Sequence, residues 1–375
     1  MRSFAALFVV LLTTSSSASS RTGTYLKGSP DADRARAAFL KLRTASGPTT
    51  VPATNLAYVQ YTTSVGIGNP PTYYNLVVDT GSSNTFCGTG TPYVRTSTSI
   101  PTGEAVNVTY GTGYFSGLEY LDQVTLAANL VITNQSIGDA LSYADFQGVD
   151  GIVGVGPVDL TLGTLSPDTN AAIPTVMNNL VSQGLIENQV LGVYFAPATS
   201  YSDTSSLHRL QYESELTYVP VTMTYPAAYY WGINVTSSTY GTYTVIPTST
   251  AGIVDTGPRV LLADDFFAVY LKAIPGAKLD SNTGLIEIPP SSISSMQPLD
   301  FTIADQVFSM DVAAQLIPTD QNTAWGGVSG KQYGVVANLG SNSGEGLDFI
   351  IGQKFMERYY AVFDTDANRV GFAQT

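Results

Sequence analysis

The chain has 375 residues, 44% of them hydrophobic and 12% charged, and its formal net charge is −13 at pH 7. This apolar content excludes a disordered chain, and the acidic balance argues against nucleic acid or an anionic membrane as a partner. With 35 Gly, 20 Pro and 23 Tyr beside abundant Thr and Val, the composition favours an all-β protein of about two to three domains.

Residues 1–20 are predicted to be a secretory signal peptide. Arg2 supplies the positive start, residues 4–12 are apolar, and a Ser- and Ala-rich stretch follows. A run of that length cannot cross a bilayer, which takes about 20 residues. Candidate N-glycosylation triplets begin at Asn107, Asn134 and Asn234. We expect a secreted, extracellular protein; a buried N-terminal strand is the alternative for the first residues.

Residues 21–46 are predicted to be a basic pro-segment. They carry six Lys or Arg and two Asp, whereas the chain from residue 48 onward carries nine Lys or Arg and 27 Asp or Glu. Opposite charges would hold such a leader on the acidic body and release it when carboxylates take up protons. We therefore expect an intramolecular inhibitor, with an ordinary solvated arm as the alternative.

Short β-rich runs and a few helical segments follow along the chain. Alternating or apolar runs predict strands at residues 58–67, 76–78, 106–110, 124–132, 190–195, 240–246 and 359–363. Apolar residues at helical spacing predict helices at residues 171–182, 263–273 and 352–358. A Pro- and Ser-rich stretch at 196–206 predicts the junction between an N-terminal lobe (47–198) and a C-terminal lobe (199–375).

Single copies of histidine and cysteine exclude several kinds of catalysis. His208 lies in a polar stretch that is typical of a protein surface, and no Gly-x-Ser-x-Gly motif accompanies it. Cys87 can form no intramolecular disulfide, and one His with one Cys cannot build the usual zinc site. The sequence also contains no phosphate-binding glycine loop that ends in Lys-Ser or Lys-Thr. We expect no metal and no cofactor, which leaves carboxylate chemistry.

The tripeptide Asp-Thr-Gly occurs twice, at Asp79 and at Asp255, each time after an apolar run. A carboxylate at the end of a buried strand is unfavourable unless something compensates it. Two carboxylates that are held close together cannot both ionise easily, so one keeps a proton while the other is anionic. A general acid and a general base then come from one residue type.

The two triplets belong to a longer repeat. They lie 176 residues apart, and each is followed by an apolar element that ends in Gly, at residues 150–154 and 348–352. The repeated order predicts two related lobes, each of which contributes one aspartate to a central cleft.

These motifs resemble those of the pepsin-like aspartic endopeptidases over nearly the whole chain, and within them the basidiomycete fungal branch typified by polyporopepsin. The resemblance lies in residues 66–71, 78–84, 110–113, 149–160, 230–234 and 344–351. It implies a bilobal double β-barrel with a central cleft and a few short helices. It also implies a monomer that hydrolyses protein or peptide substrates at acidic pH, with a preference for hydrophobic residues around the cut.

The same resemblance implies roles for individual residues. Asp79 and Asp255 would be the catalytic pair, sharing a proton and holding the water that attacks the peptide carbonyl. Hydroxyl groups and backbone N–H groups of the two motifs would support the pair, from Thr80, Gly81, Ser82, Thr256 and Gly257. A mobile flap over the substrate would be formed by Tyr110, Gly111 and Thr112.

Three positions depart from the family pattern. Pro258 stands where the family has a Ser or Thr whose hydroxyl bonds the second aspartate, which predicts an altered acidic limb of the pH–rate profile. Phe86 replaces the tryptophan whose indole N–H would hold Tyr110, which predicts a looser flap. Residues 202–217 lack the Gly-rich strand sequence of the family, through either a deletion or a faulty gene model.

Three functions compete at this point. A secreted aspartic endopeptidase explains both aspartates and the flap sequence. A pepsin-fold binding or inhibitor protein with an impaired site is the alternative, and Pro258 and Phe86 motivate it. A glycosidase with two carboxylates would explain neither the repeated triplet nor the flap.

Overall fold

The structure is a computed structural model that describes residues 53–56, 60–111, 113–196, 216–257 and 259–374. The predicted signal peptide and pro-segment, Thr112, Pro258, His208 and all but the end of the 202–217 region lie outside the described residues. Within them the chain is mostly β-strand with a few short helices, so the predicted all-β class is confirmed. The predicted boundaries between signal peptide, pro-segment and lobes stay predictions.

The first lobe is built on one sheet in which nine strands are described. They are β1 (Thr54–Leu56), β2 (Gln60–Ile67), β3 (Thr72–Asp79), β4 (Phe86–Cys87), β5 (Ile100–Thr109), β6 (Tyr114–Ala127), β7 (Leu130–Ala144), β8 (Gly151–Gly154) and β9 (Leu165–Ser166). Their order is β1-β2-β3-β8-β4-β7-β6-β5-β9, and β2 also pairs with β6. This extra pairing closes six of the strands into a barrel around an apolar core.

In the second lobe the described residues form three smaller sheets. The first has the order β12 (Gly232–Val235), β15 (Thr250–Val254), β24 (Phe349–Ile351), β16 (Val260–Leu262) and β23 (Val336–Asn338). The second has the order β14 (Tyr243–Ile246), β13 (Ser237–Tyr240), β19 (Leu299–Ile303) and β20 (Gln306–Met310). The third has the order β17 (Lys278–Leu279), β18 (Ile286–Glu287), β22 (Tyr333–Gly334) and β21 (Leu316–Ile317).

A further sheet joins the two halves of the chain. Its order is β10 (Val190–Val193), β25 (Tyr359–Asp364), β26 (Arg369–Gln374) and β11 (Thr217–Pro220). Strand β10 comes from the first half of the chain and pairs with β25 near the C-terminus. Main-chain hydrogen bonds of this sheet therefore connect the two lobes and restrict how far they can separate.

The helices of the described residues are short, and the longest has ten residues. In the described residues they are Val176–Ser182, Asp264–Ala273, Pro290–Ile293, Val312–Gln315 and Gln353–Met356, with 3₁₀ turns at Val158–Thr161, Ala227–Tyr229 and Thr319–Gln321. The first begins later than the predicted residue 171 because Thr175 is its N-cap: the Thr175 hydroxyl accepts from the Asn178 N–H at 3.3 Å, and the Asn178 side chain accepts from the Thr175 N–H at 3.0 Å.

Two predicted strands turn out to contain hairpin turns. The run at 124–132 is the end of β6 and the start of β7, and the run at 240–246 is the end of β13 and the whole of β14. In the second case Gly241 adopts a φ of 58°. Glycine reaches this left-handed conformation without steric penalty, so the chain reverses there although both flanking segments have strand-like sequence.

No helix of the described residues is long and apolar enough to cross a membrane. Nor do these residues group three or more His, Cys, Asp or Glu side chains in a way that would hold a metal ion.

Candidate active site

Each Asp-Thr-Gly triplet follows a central parallel pair of strands. In the first lobe β3 runs parallel to β8, and Asp79 at its end lies opposite Gly154. In the second lobe β15 runs parallel to β24, where Val254, the residue before Asp255, lies opposite Ile351. The apolar elements that follow each triplet in the sequence are thus the direct partners of the strands that carry the aspartates, and the predicted repeat is a repeat of structure.

The glycines at the ends of these partner strands allow the loops to pack closely. A Cβ atom at Gly154 would lie 2.4 Å from the carbonyl carbon of Ser83, and one at Gly352 would lie 2.0 Å from the carbonyl oxygen of Arg259. Real Cβ atoms do not approach so closely, so only glycine fits at either position. Each triplet loop is therefore pressed against the strand beside it at equivalent places in the two lobes.

Two reciprocal hydrogen bonds join the loops to each other. The Thr80 N–H donates to the Thr256 hydroxyl oxygen at 3.1 Å, and the Thr256 N–H donates to the Thr80 hydroxyl oxygen at 3.0 Å. The Thr256 hydroxyl in turn donates to the Val78 carbonyl at 2.9 Å. Since each threonine follows an aspartate, this cross-link brings Asp79 and Asp255 to the same point between the lobes, where the side chain of each is 1% exposed.

The first aspartate is held by groups of its own loop. The Gly81 N–H donates to Asp79 Oδ1 at 2.8 Å, and the Ser82 hydroxyl donates to Asp79 Oδ2 at 2.5 Å. These two donors fix the plane of the Asp79 carboxyl group. In the second loop the Gly257 carbonyl accepts from the Gln353 N–H at 2.7 Å, so that loop is tied to the helix Gln353–Met356.

The predicted flap is the tip of the β5–β6 hairpin. Its last strand pair is Thr109 with Tyr114, and the Tyr110 N–H donates to the Gly113 carbonyl at 2.7 Å. Gly111 is half-buried at the tip, while the Tyr110 side chain is 9% exposed.

The Tyr110 ring packs in a cluster of phenylalanines. Its centroid lies 5.9 Å from that of Phe86, 6.4 Å from that of Phe115 and 5.6 Å from that of Phe146, the last in an edge-on contact. The ring of Phe86 is itself stacked on Phe115 at 3.8 Å. Phenylalanine rings therefore surround Tyr110, including at position 86, where the family pattern has the indole ring of a tryptophan.

Sequence reasoning missed a group of buried charges beside the second loop. The Arg259 guanidinium lies 5.1 Å from the centroid of the Trp325 ring and donates to the Trp325 carbonyl at 3.4 Å. The Lys354 ammonium lies 5.6 Å from the same ring and is paired with Glu357 at 2.8 Å. The Gln353 side chain also donates to Glu357, at 3.1 Å.

All five of these residues are buried, and the most exposed of their side chains, that of Lys354, is only 8% exposed. Charged residues are rarely so buried unless they are paired. In the sequence these buried residues are indicated only by their positions. Arg259 lies two residues after the second triplet, and Gln353 directly follows Gly352. The group lies beside the loop that carries Asp255 and is joined to it by the hydrogen bond from the Gln353 N–H to the Gly257 carbonyl.

Comparisons with known proteins agree with this arrangement. The family model described as eukaryotic aspartyl protease matches residues 60–375. Polyporopepsin from Irpex lacteus is 52% identical over 332 residues, which cover 87% of this chain and 96% of the relative. Vacuolar protease A from Neurospora crassa is 26% identical over 347 residues, covering 88% and 82% of the two chains.

A solved structure gives the same result for the fold. The crystal structure of an aspartic proteinase from Irpex lacteus superposes with a TM-score of 0.82 at 50% sequence identity, over 87% of this chain and 96% of that one. The two-lobed architecture is therefore that of pepsin-like enzymes. The chain belongs to the eukaryotic aspartyl protease family and is an aspartic endopeptidase.

Proposed function

We propose that Asp79 and Asp255 form the catalytic pair of a secreted endopeptidase that works at acidic pH. The observation that carries the proposal is the reciprocal hydrogen-bonding of Thr80 and Thr256, at 3.1 and 3.0 Å. It holds the residues that follow the two aspartates together and leaves both carboxylates 1% exposed. In such surroundings two carboxylates share one proton more readily than they ionise together.

The reaction follows from that shared proton. The anionic carboxylate takes a proton from a water molecule as the water oxygen attacks the carbonyl carbon of the peptide bond. The protonated carboxylate donates its proton to the carbonyl oxygen, giving a neutral tetrahedral diol. The first carboxyl group then donates its proton to the amide nitrogen while the second takes a proton from the diol. The C–N bond breaks, a carboxylic acid and an amine are released, and no covalent bond to the enzyme forms at any step.

The flap closes this site over the substrate. Tyr110 and Gly111 lie at the tip of a hairpin that is anchored by its long strands β5 and β6. Closure would exclude bulk water and strengthen the electrostatic interactions in the cleft. The apolar surroundings of Tyr110 also support a preference for substrates with bulky hydrophobic residues beside the cut.

We further propose that the enzyme acts outside the cell. We propose that residues 1–20 direct secretion and that residues 21–46 inhibit the monomeric enzyme until acid releases them. Vacuolar protease A in Neurospora crassa represents the other destination within this family. Immunoblotting of culture medium and of vacuoles separates the two, and the N-terminus of the acid-treated protein reports removal of the pro-segment.

The test of the catalytic pair is cleavage of denatured haemoglobin at about pH 3–4, where a pair that shares one proton is singly ionised. Asp79→Asn and Asp255→Asn should each abolish cleavage, and pepstatin should block the unchanged enzyme. Asp305→Asn is the matched control, because Asp305 is exposed and has a φ of 64° that asparagine also adopts.

The outcomes separate the candidate functions. If either aspartate variant cleaves haemoglobin as fast as Asp305→Asn does, the assignment of the catalytic pair is wrong. A folded protein that binds pepstatin but cleaves nothing would instead support the impaired binding protein.

A further inference from the structure

One of the candidate glycosylation triplets lies on the flap hairpin. Asn107 and Thr109, its first and last residues, are both exposed on strand β5, and Tyr110 follows directly. N-linked glycans are attached to Asn-x-Thr triplets in chains that enter the secretory pathway. Glycosylation at Asn107 would thus depend on the proposed secretion and not on the proposed catalytic pair.

The strand register settles which side of the hairpin Asn107 occupies. Asn107 lies opposite Ser116 of β6, whereas the next pair, Val108 with Phe115, is buried in the apolar cluster that also contains Tyr110. Successive residues of a strand point to opposite faces. The Asn107 side chain therefore points to the outer face of the hairpin, and a glycan on it would not enter the packing around Tyr110.

Two exposed apolar side chains flank Asn107 on this outer face. Tyr114 and Leu118 lie two residues to either side of Ser116, the cross-strand partner of Asn107, and each is 41% exposed. Diagonal neighbours of this kind are about 7–8 Å apart, which is within reach of a sugar ring linked to the asparagine. The C–H face of such a ring is apolar and can pack on a tyrosine ring.

The same part of β5 lies near an edge of the first sheet. Among the described residues β9 is the strand beyond β5, and it pairs with Ala105 and Val106. The next N–H, that of Asn107, donates to the Thr164 carbonyl at 2.9 Å. Exposed sheet edges favour pairing with other chains, and a bulky glycan at this place would block such pairing.

We propose that Asn107 carries an N-linked glycan whose first sugar packs on Tyr114 and Leu118. In the attachment step Asn107 Nδ2 loses a proton and bonds to C1 of N-acetylglucosamine, and the lipid diphosphate that carried the oligosaccharide leaves. The sugar covers the outer face of the flap hairpin and opposes its local opening.

Mass spectrometry of peptides locates the glycan. The full chain is expressed in yeast with its own residues 1–20 and treated with peptide-N-glycosidase F, which converts a glycosylated asparagine to aspartate. We expect this conversion at Asn107. It should be lost in Thr109→Val, which keeps Asn107 and the shape of the threonine but breaks the triplet.

Hydrogen exchange of the β5–β6 hairpin tests where the sugar packs. All proteins carry Asp255→Asn to prevent self-digestion, and endoglycosidase H trims the glycan to its first sugar. Asn107→Gln should then exchange its hairpin amides about three- to tenfold faster, as expected for the loss of one packed contact with an aromatic ring. Asn234→Gln is the matched control, because it removes an identical Asn-Val-Thr triplet from a strand of the second lobe. It should leave the exchange of the hairpin unchanged.

Tyrosine substitutions separate the sugar contact from other effects of Asn107→Gln. In a Tyr114→Ser protein the further change Asn107→Gln should alter hairpin exchange by less than about twofold, because the sugar has already lost the ring. Tyr143→Ser is the matched control. Tyr143 is 44% exposed and lies opposite Phe115, on the other face of the strands, so Asn107→Gln should keep its full effect there.

The outcomes distinguish this proposal from that of secretion. Protein that reaches the medium without modification at Asn107 overturns the glycan and leaves secretion intact. A glycan whose removal does not change hairpin exchange, or changes it equally with and without the Tyr114 ring, overturns the packing on the outer face. Protein that stays in the cytosol without any glycan contradicts secretion, and the glycan with it.

Discussion

Glu119 provides a direct test of how burial controls the stability of the first lobe. Its side chain is 3% exposed on strand β6. The Ser136 hydroxyl donates to Glu119 Oε1 at 2.5 Å, while Oε2 has no hydrogen-bond partner among the described residues. Burial raises the pKa of Glu119 from its ordinary value of 4.5 to about 8, and the Ser136 hydrogen bond lowers it only in part.

The sign of the effect on folding follows from this pKa. Below pH 4.5 Glu119 is protonated in both the folded and the unfolded chain, so it contributes no pH dependence. Between pH 4.5 and about 8 the unfolded chain ionises at this position and the folded chain does not, so the free energy of unfolding decreases as the pH rises. At about 1.4 kcal/mol per pH unit, the loss over this window is on the order of 5 kcal/mol.

Glu119→Gln removes this pH dependence while keeping the shape of the side chain and its ability to accept from Ser136. Near pH 4 the variant should be within about 1 kcal/mol of the parent in stability. Near pH 8 it should be more stable than the parent by several kcal/mol. Urea unfolding followed by far-ultraviolet circular dichroism measures both, in an Asp255→Asn background that prevents self-digestion.

Glu187→Gln is the matched control, because Glu187 is exposed and the same charge is removed. The free energy of unfolding of Glu187→Gln should decrease between pH 4 and 8 in parallel with that of the parent protein. If the free energy of unfolding of Glu119→Gln decreases in the same way, Glu119 is not held neutral by burial and the reasoning is wrong.

Three further substitutions address the second loop and the flap. Pro258→Thr should supply the missing hydroxyl to Asp255 and move the acidic limb of the kcat/KM profile to lower pH; an unchanged profile would refute it. Phe86→Trp should raise kcat/KM by giving the Tyr110 hydroxyl an indole donor, and unchanged kinetics would count against a loose flap. Arg259→Met should lower the melting temperature by about 1–2 °C for each kcal/mol of stability lost, and by more than Arg259→Lys, which keeps the charge.

The sequence predicted those parts of the fold that depend on local pattern and repetition. The Asp-Thr-Gly triplets and the apolar elements that end in Gly, at 150–154 and 348–352, were sufficient to predict two related lobes. In each lobe the strand that precedes the triplet runs parallel to the strand formed by the apolar element. The three helices with clear apolar spacing were also found, with errors of a few residues at their ends.

Features that depend on distant pairing were not predictable in the same way. Strand β4 consists of Phe86 and Cys87 alone and exists because β7 and β8 flank it. The closure of the barrel through β2 and β6 joins Ile67 to Val124, and no local propensity indicates that pairing. Hairpins inside apolar runs were missed because the turn at Gly241 depends on backbone conformation and not on hydrophobicity.

The repeat in the sequence does not by itself reveal which groups support each aspartate. Asp79 receives hydrogen bonds from Gly81 and Ser82 within its own loop. The loop of Asp255 is supported from beside it, through Gln353 and the buried charges around Trp325.

These supports act on two loops that are themselves joined. The reciprocal hydrogen bonds of Thr80 and Thr256 connect the residues that follow the two aspartates, so groups that fix one loop also constrain the other. A catalytic pair of the proposed kind needs both carboxylates held in place at once, and each lobe contributes to this with different residues.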